Sequence, residues 1–338
     1  MVAKKLPWWQ RGGRAMKLRY PIALLMLIVL VATALVMTRT GSPDGSPVGD
    51  PVGSPIGDPG GDPLVAAVGD IACTPTSSAF QDGLGTDTAC RHMYVADLLA
   101  GKDLAAFLAL GDLQYEVGDL AAFNTSYDRW FAPYYDITRP TPGNHEYKTP
   151  GASGYYSYFS SKDYAASPGY YSYDVGDWHL VSLNSNCAAV GGCGSTQPQF
   201  NWLKADLAAN TDQCTLAYWH HPKFNDGEHA GVTNMNWAWN LLYQDDAEII
   251  LNGHEHSYQR FVPLSDAGAT GDPRGIVEFT SGAGGKSHYN VGTTSSLSAF
   301  RNTTDYGVLF LTLHPASADY QWVTEAGAVL DSGTIKCH

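Results

Sequence analysis

Five short, mostly apolar runs punctuate the chain, at residues 64–69, 105–111, 178–183, 214–219 and 247–252. Runs of this length without strict alternation predict strands buried on both faces. Residues 87–99, 120–130, 197–208 and 233–243, lying between them, set apolar side chains at helical spacing. Strands alternating with helices indicate an α/β fold with largely buried sheets. Strand-like segments at 276–280, 307–313 and 319–323 follow and are expected to complete a second sheet. No second linker interrupts this pattern, so residues 64–338 read as one domain.

Before residue 64 the pattern changes twice. Lys4, Lys5, Arg11, Arg14, Lys17 and Arg19 precede an uncharged apolar run from residue 22 to residue 37. That run is shorter than the roughly 20 residues that span a bilayer comfortably, and Ala32-Thr33-Ala34 offers a small-residue cleavage site. Residues 1–40 therefore read as a signal peptide, with an uncleaved signal anchor as the alternative. In residues 41–63 proline recurs every fourth position, from Pro43 to Pro63. Such a Pro/Gly-rich stretch forms no packed structure and, extended, reaches about 70 Å. It reads as a linker that holds the folded body away from a membrane or wall.

Charge sharpens the picture. Seven of the 20 Lys and Arg residues lie at or before Arg39, so the remainder carries 13 basic against 33 acidic residues, a balance of −20. A surface of that sign repels nucleic-acid phosphates, and nucleic-acid binding is not expected. All six cysteines follow the leader, and an even count in an exported chain suggests disulfides. Thiol-bound zinc is the alternative, but no CxxC pair exists. Cys187 and Cys193 enclose a short glycine-containing loop and are the first expected pair. Six cysteines allow fifteen pairings; Cys73–Cys90 is suggested by proximity in sequence, and Cys214–Cys337 is what then remains.

Five polar clusters carry the candidate chemistry: Asp70, Gly111-Asp112-Leu113-Gln114-Tyr115, Gly143-Asn144-His145-Glu146, His220-His221-Pro222 and Gly253-His254-Glu255-His256. Most fall where an apolar strand should end, and in open α/β sheets sites form beyond the carboxyl ends of strands. Carboxylates and a phenolate suit a hard, highly charged ion, while imidazoles and an amide oxygen suit a borderline divalent one. Two aspartates and a tyrosinate bring three negative charges against five positive from a trivalent and a divalent ion. The surplus can attract a phosphate ester. Strand alternation sends neighbouring residues to opposite faces, so only one of His220 and His221 is expected to ligate.

In this order and spacing, over residues 64–338, the motifs resemble those of the calcineurin-like metallophosphoesterases and, within them, the purple acid phosphatase branch. The resemblance implies two packed mixed β-sheets flanked by helices, a four-layer sandwich. It implies that Asp70, Asp112, Tyr115 and His256 hold Fe3+, with Asp112 bridging. Asn144, His220 and His254 would complete a site for a divalent ion (Fe2+, Zn2+ or Mn2+), and the following Pro222 aligns His220 with the family's ligand. His145 and His229 would line the substrate pocket. Two departures stand out. Ala72 replaces the histidine of many relatives in the wider superfamily and the usual glycine of this branch. Plant-type members also carry an N-terminal β-sandwich, for which the linker leaves no room.

The expected activity is hydrolysis of a small phosphomonoester by hydroxide attack in line with the leaving alkoxide, as in an acid phosphatase. A phosphodiesterase on the same framework and a catalytically silent surface-binding module are the rival readings. His92, His179, His288, His314 and His338 fall outside the motifs and are expected to be structural or on the surface. The seven tyrosines of residues 155–173 read as strand and hairpin packing. Oligomeric state is not indicated. Protease treatment of intact cells should degrade or release residues 64–338; full protection, with the protein recovered from the cytosol, would exclude export.

Overall fold

The computed structural model describes residues 61–290 and 292–338. The signal segment and the linker up to residue 60 lie outside the described residues. The chain begins one sheet with β1 (Leu64–Val68), β2 (Leu104–Ala109) and the short β3 (Thr138–Pro140). It then builds a second sheet from β4 (Tyr171–Val175), β5 (Trp178–Ser182), β6 (Cys214–Tyr218), β7 (Ile249–Asn252), β8 (Tyr258–Phe261), β9 (Val277–Ser281) and β10 (Ser298–Asn302). Finally it returns to the first with β11 (Gly307–His314), β12 (Ser317–Thr324) and β13 (Val329–Lys336).

Both sheets are mixed. The first has the order β13-β12-β11-β1-β2-β3 and the second β10-β8-β9-β7-β6-β5-β4. β1, β2 and β3 run parallel, as do β5, β6, β7 and β9, while the outer strands pair antiparallel. The alternation within β1 explains the layering. Val65 and Ala67 face Leu180, Leu216 and Leu251 of the second sheet, whereas Leu64, Ala66 and Val68 face the helical segments His92–Asp97 and Ser153–Tyr158. On the far face of the second sheet Val181, Ala217 and Ile250 pack against helices Pro198–Ala209 and Asn236–Gln244. The result is helix, sheet, sheet, helix. Each fully buried Val, Leu or Phe contributes about 1.5–3 kcal/mol relative to exposure.

Three local departures have physical causes. The helix expected over 87–99 forms only over His92–Asp97, because Cys90 adopts a left-handed φ of 61° and is tied to Cys73. The helix beginning at Leu120 reaches Phe131 but widens to a π turn over Phe123–Tyr127. Thr125 Oγ1 donates to the Ala121 carbonyl there at 2.8 Å, competing with the backbone ladder. Not all of the C-terminal strands complete the second sheet. β9 joins the second sheet, while β11 and β12 extend the first beside β1.

All three expected disulfides are present: Cys73–Cys90, Cys187–Cys193 and Cys214–Cys337, with sequence separations of 17, 6 and 123. Chain-entropy arguments make the longest loop the most stabilising, about 5 kcal/mol against about 2 kcal/mol for the shortest. Replacing both Cys214 and Cys337 by serine should therefore lower the denaturant midpoint more than replacing Cys187 and Cys193. Equal effects would show that Cys214–Cys337 does not constrain the unfolded chain.

Candidate metal centre

Every sequence-selected ligand lies just beyond a parallel strand or in the turn that follows it. Asp70 follows β1, Asp112 and Tyr115 follow β2, Asn144 follows β3, His220 follows β6, and His254 and His256 follow β7. Three of them, Asp70, Asp112 and His254, have left-handed φ values of 60°, 50° and 72°. Such backbone is costly for residues with a β-carbon and persists where the surroundings over-determine it. Close approach is part of that determination. A β-carbon on Gly143 would sit 2.2 Å from Asp112 Oδ1, and one on Gly253 would sit 2.7 Å from Asp70 Oδ2.

The centre of the cluster is the Tyr115 hydroxyl. It lies 2.7 Å from Asp70 Oδ1, 3.0 Å from Asp112 Oδ2 and 2.9 Å from His256 Nε2. Asp112 Oδ2 is also 3.3 Å from His220 Nε2, which in turn is 3.2 Å from Asn144 Oδ1. Asp112 thus stands between two donor groups. Asp70, Asp112 and His220 each offer an atom within 4.8 Å of the others, and so do His220, His221 and His254. The ring orientations are set from behind. His220 Nδ1 donates to the Leu110 carbonyl (2.9 Å) and His256 Nδ1 lies 3.2 Å from Ser287 Oγ, so both rings turn Nε2 inward.

Two buried glutamates brace the turns. Glu146 accepts from the backbone N–H groups of Asp112 (2.9 Å), Leu113 (2.9 Å), Gln114 (3.3 Å) and Gly143 (2.7 Å). It therefore fixes the turn that presents Asp112 and Tyr115. Glu278 accepts from the Lys223 and Phe224 N–H groups at 2.8 and 2.9 Å, anchoring the segment after His220-His221-Pro222. Loop amides bound to buried carboxylates are an alternative to regular structure and rigidify a site.

The donor set fits cations on electrostatic grounds. Burial, then the charges of Asp112 and Asp70, push the Tyr115 phenol well above its ordinary pKa. A phenol in that place ionises only if positive charge replaces its proton. Burial raises the Asp112 carboxyl, but the charge and hydrogen bond of His220 outweigh it and leave the group well below the usual range. Burial lowers His220 while Asp112 raises it further, to about 9. A cation between these two residues would take the place of that shared proton. Burial and the neighbouring His220 bring His254 down to about 2, so its imidazole keeps a lone pair at any ordinary pH.

Of the two candidate catalytic residues, His145 lies close in. Its Nδ1 is 2.8 Å from the Glu116 carbonyl, and its Nε2 is 3.9 Å from Asp112 Oδ2 and 3.1 Å from the exposed Lys148 Nζ. His229 is on the rim, with its ring centroid 4.9 Å from that of His254. His221 and Tyr289 were not among the expected site residues. The alternation argument against His221 does not apply, because β6 ends at Tyr218 and the two histidines leave the strand together. Their ring centroids are 4.9 Å apart, and His221 Nδ1 is 2.7 Å from Ser185 Oγ. Tyr289 stacks on His256 with centroids 3.8 Å apart and has no motif around it that signals a site.

Outside the site, His179 bridges Asp174 and Asp206, and His92 is buried against Phe80. His288 Nδ1 lies 3.0 Å from the His256 carbonyl, His314 pairs with Asp319, and His338 with Glu248. Of the tyrosines expected to pack in strands and hairpins, Tyr171 and Tyr173 lie in β4, whereas Tyr155, Tyr156 and Tyr158 lie on the helix Ser153–Tyr158 and pack in the helical layer.

Residues 64–258 match the family model described as calcineurin-like phosphoesterase. The chain is similar to purple acid phosphatase 21 of Arabidopsis thaliana, 30% identical over 230 residues, covering 62% of this chain and 50% of that protein. It is 31% identical to purple acid phosphatase 22 of the same plant, over 54% of this chain and 45% of that one. Among solved structures, a purple acid phosphatase from yellow lupin (Lupinus luteus) seeds superimposes with a TM-score of 0.60 at 18% identity, over 81% of this chain and 53% of that one. The fold is shared, and the chain spans about half the length of these relatives.

Glu278 supplies a pH test of the bracing. Burial raises its pKa from 4.5 to about 8. Between those values the unfolded chain holds fewer protons than the folded one, so stability falls as pH rises through roughly 4.5 to 8. Glu278→Gln should flatten that part of the profile in denaturant titrations at several pH values. An unchanged slope would show that Glu278 is ionised in the folded protein.

Proposed function

We propose, because the chain belongs to the calcineurin-like phosphoesterase family and its relatives include purple acid phosphatases, that it is an exported phosphomonoester hydrolase working with two metal ions. The observation that carries this reading is the contact of one tyrosine hydroxyl with two carboxylates and an imidazole in a fully buried cluster. In this reading Asp70, Asp112, Tyr115 and His256 hold Fe3+. Asn144, His220 and His254 hold a divalent ion (Fe2+, Zn2+ or Mn2+), with Asp112 shared. The ions would supply positive charge to the phosphoryl oxygens and acidify a water molecule.

The chain's own residues then orient and discharge the ester. His145 keeps Nδ1–H on the Glu116 carbonyl and turns Nε2 toward the cluster, where it can contact a phosphoryl oxygen. His229, on the rim, is the second candidate for supplying the proton that the departing oxygen needs. No activated serine, threonine or cysteine stands among the seven ligands, and this reading requires no covalent enzyme intermediate. The export reading rests on the basic leader, the apolar run and the proline-rich linker, and the three disulfides agree with it.

Tyrosinate bound to Fe3+ gives a visible charge-transfer band, so the purified iron-loaded protein should be purple or pink. Tyr115→Phe should abolish the band and leave the fold intact. Asp112→Asn should weaken binding of both metals and lower kcat/KM by more than the roughly 10–100-fold typical of an outer partner. Metal analysis, visible spectra and rates on monoester and diester substrates check these outcomes. A protein fully active with zinc or manganese and colourless with iron would refute the tyrosinate assignment. A preference for diesters would refute the substrate class.

A further inference from the structure

Glu255 sits between His254 and His256, yet its side chain leaves them. The left-handed turn at His254 sends the carboxylate into the loop of residues 225–229. There it is 1% exposed and accepts from Asn225 Nδ2 (3.0 Å), Glu228 N (2.8 Å), His229 N (3.1 Å) and His229 Nδ1 (3.1 Å). The fit is close enough that a β-carbon on Gly227 would meet the Glu255 carboxyl at 2.0 Å. Asn225 is itself fixed, its Oδ1 accepting from Gln259 Nε2 at 2.7 Å and from Gly227 N at 2.9 Å.

The consequence for His229 is a defined orientation. Its backbone and its Nδ1–H are bound to one carboxylate, while the ring is 39% exposed and, among the described residues, Nε2 makes no hydrogen bond. Tyr289 closes one side, its ring centroid 4.8 Å from that of His229. A solvated loop histidine would sample several rotamers, but this one has its position, tautomer and direction set by a buried group. We propose that Glu255 is a positioning residue that holds His229 with Nδ1–H bound and Nε2 directed at the leaving-group oxygen. This rests on the phosphatase reading and deepens it.

In the step concerned, an oxygen derived from water bonds to phosphorus while the bond from phosphorus to the leaving oxygen breaks and its electron pair goes to that oxygen. The leaving oxygen takes the Nε2 proton of His229 in its imidazolium form, leaving the neutral ring with Nδ1–H still bound to Glu255, and water restores the Nε2 proton. A proton delivered there matters most for alkyl esters, whose alkoxides are poor leaving groups, and least for p-nitrophenyl phosphate. One tripeptide would thus hold both the ions and the acid, through His254 and His256 on one side and Glu255 on the other.

The test uses the full metal-loaded protein with Glu255→Gln, His229→Ala and the two combined, read on glycerol phosphate and on p-nitrophenyl phosphate. Glu255→Gln should lower kcat on the alkyl ester about 10–100-fold, with KM and metal content unchanged and a smaller loss on the aryl ester. The double variant should lose no more than His229→Ala alone, since Glu255 acts through that ring. Additive losses, equal losses on the two esters, or loss of metal would overturn the proposal. Amide hydrogen exchange at residues 228 and 229 gives a readout independent of activity. Exchange should quicken in Glu255→Gln, and unchanged protection would overturn the anchoring. Should Glu255→Gln fail to fold, Glu255→Asp, one methylene shorter, carries the same expectations. A wild-type protein that hydrolyses neither ester would refute the phosphatase reading, leaving the exchange measurement to decide the anchoring alone.

Discussion

Two carboxylates and a phenol buried side by side form the constraint around which the domain is arranged. Asp70 and Asp112 are essentially inaccessible, and the Tyr115 hydroxyl touches both. Like charges so placed repel strongly in a low-dielectric interior. The fold therefore needs opposite charge there and must hold the backbone in conformations it would otherwise leave. The two parallel-strand ends, the left-handed turns and the amides gathered by Glu146 all serve that end.

Glu146 and Glu255 show how the second requirement is met. Each occupies a position inside a ligand motif, and each turns away from the ligands to bind loop amides instead. Glu146 fixes the turn after β2 from a segment that follows β3, and Glu255 fixes the loop after β6 from a segment that follows β7. Each motif thus holds its own ligand and a neighbouring strand's loop. A substitution at either glutamate should therefore be felt in a part of the site far away in sequence.

Much of this was legible in the residues. The apolar runs at β1, β2, β5, β6 and β7 stand out because both their faces are buried, and the candidate ligands other than Asn144 stand out because each follows such a run. The strands that escaped notice are of another kind. β13 is mostly exposed and β10 has no buried residue, so their side chains carry too little apolar signal to mark them, and in the four-residue β8 Gln259 and Arg260 break the apolar run. β3 is only three residues long and contains a proline. Alternation allows only one of His220 and His221, and the place of Pro222 chooses His220; but alternation holds only within a strand, and β6 ends three residues before His221. Tyr289 reaches the site by stacking, a contact that leaves no spacing pattern in the chain.

The outward and returning path of the chain has a consequence for how the molecule is made. β1 starts at Leu64, and the neighbour on its open edge, β11, starts only at Gly307. Seven intervening strands belong to the other sheet. A nascent chain therefore presents every candidate metal ligand before it can close the edge of its first strand. Contacts of such long sequence separation form slowly, and an unpaired apolar edge is a template for mispairing with another chain. The last thirty-odd residues, which hold none of the chemistry, decide whether the first strand reaches its place alone or against a stranger.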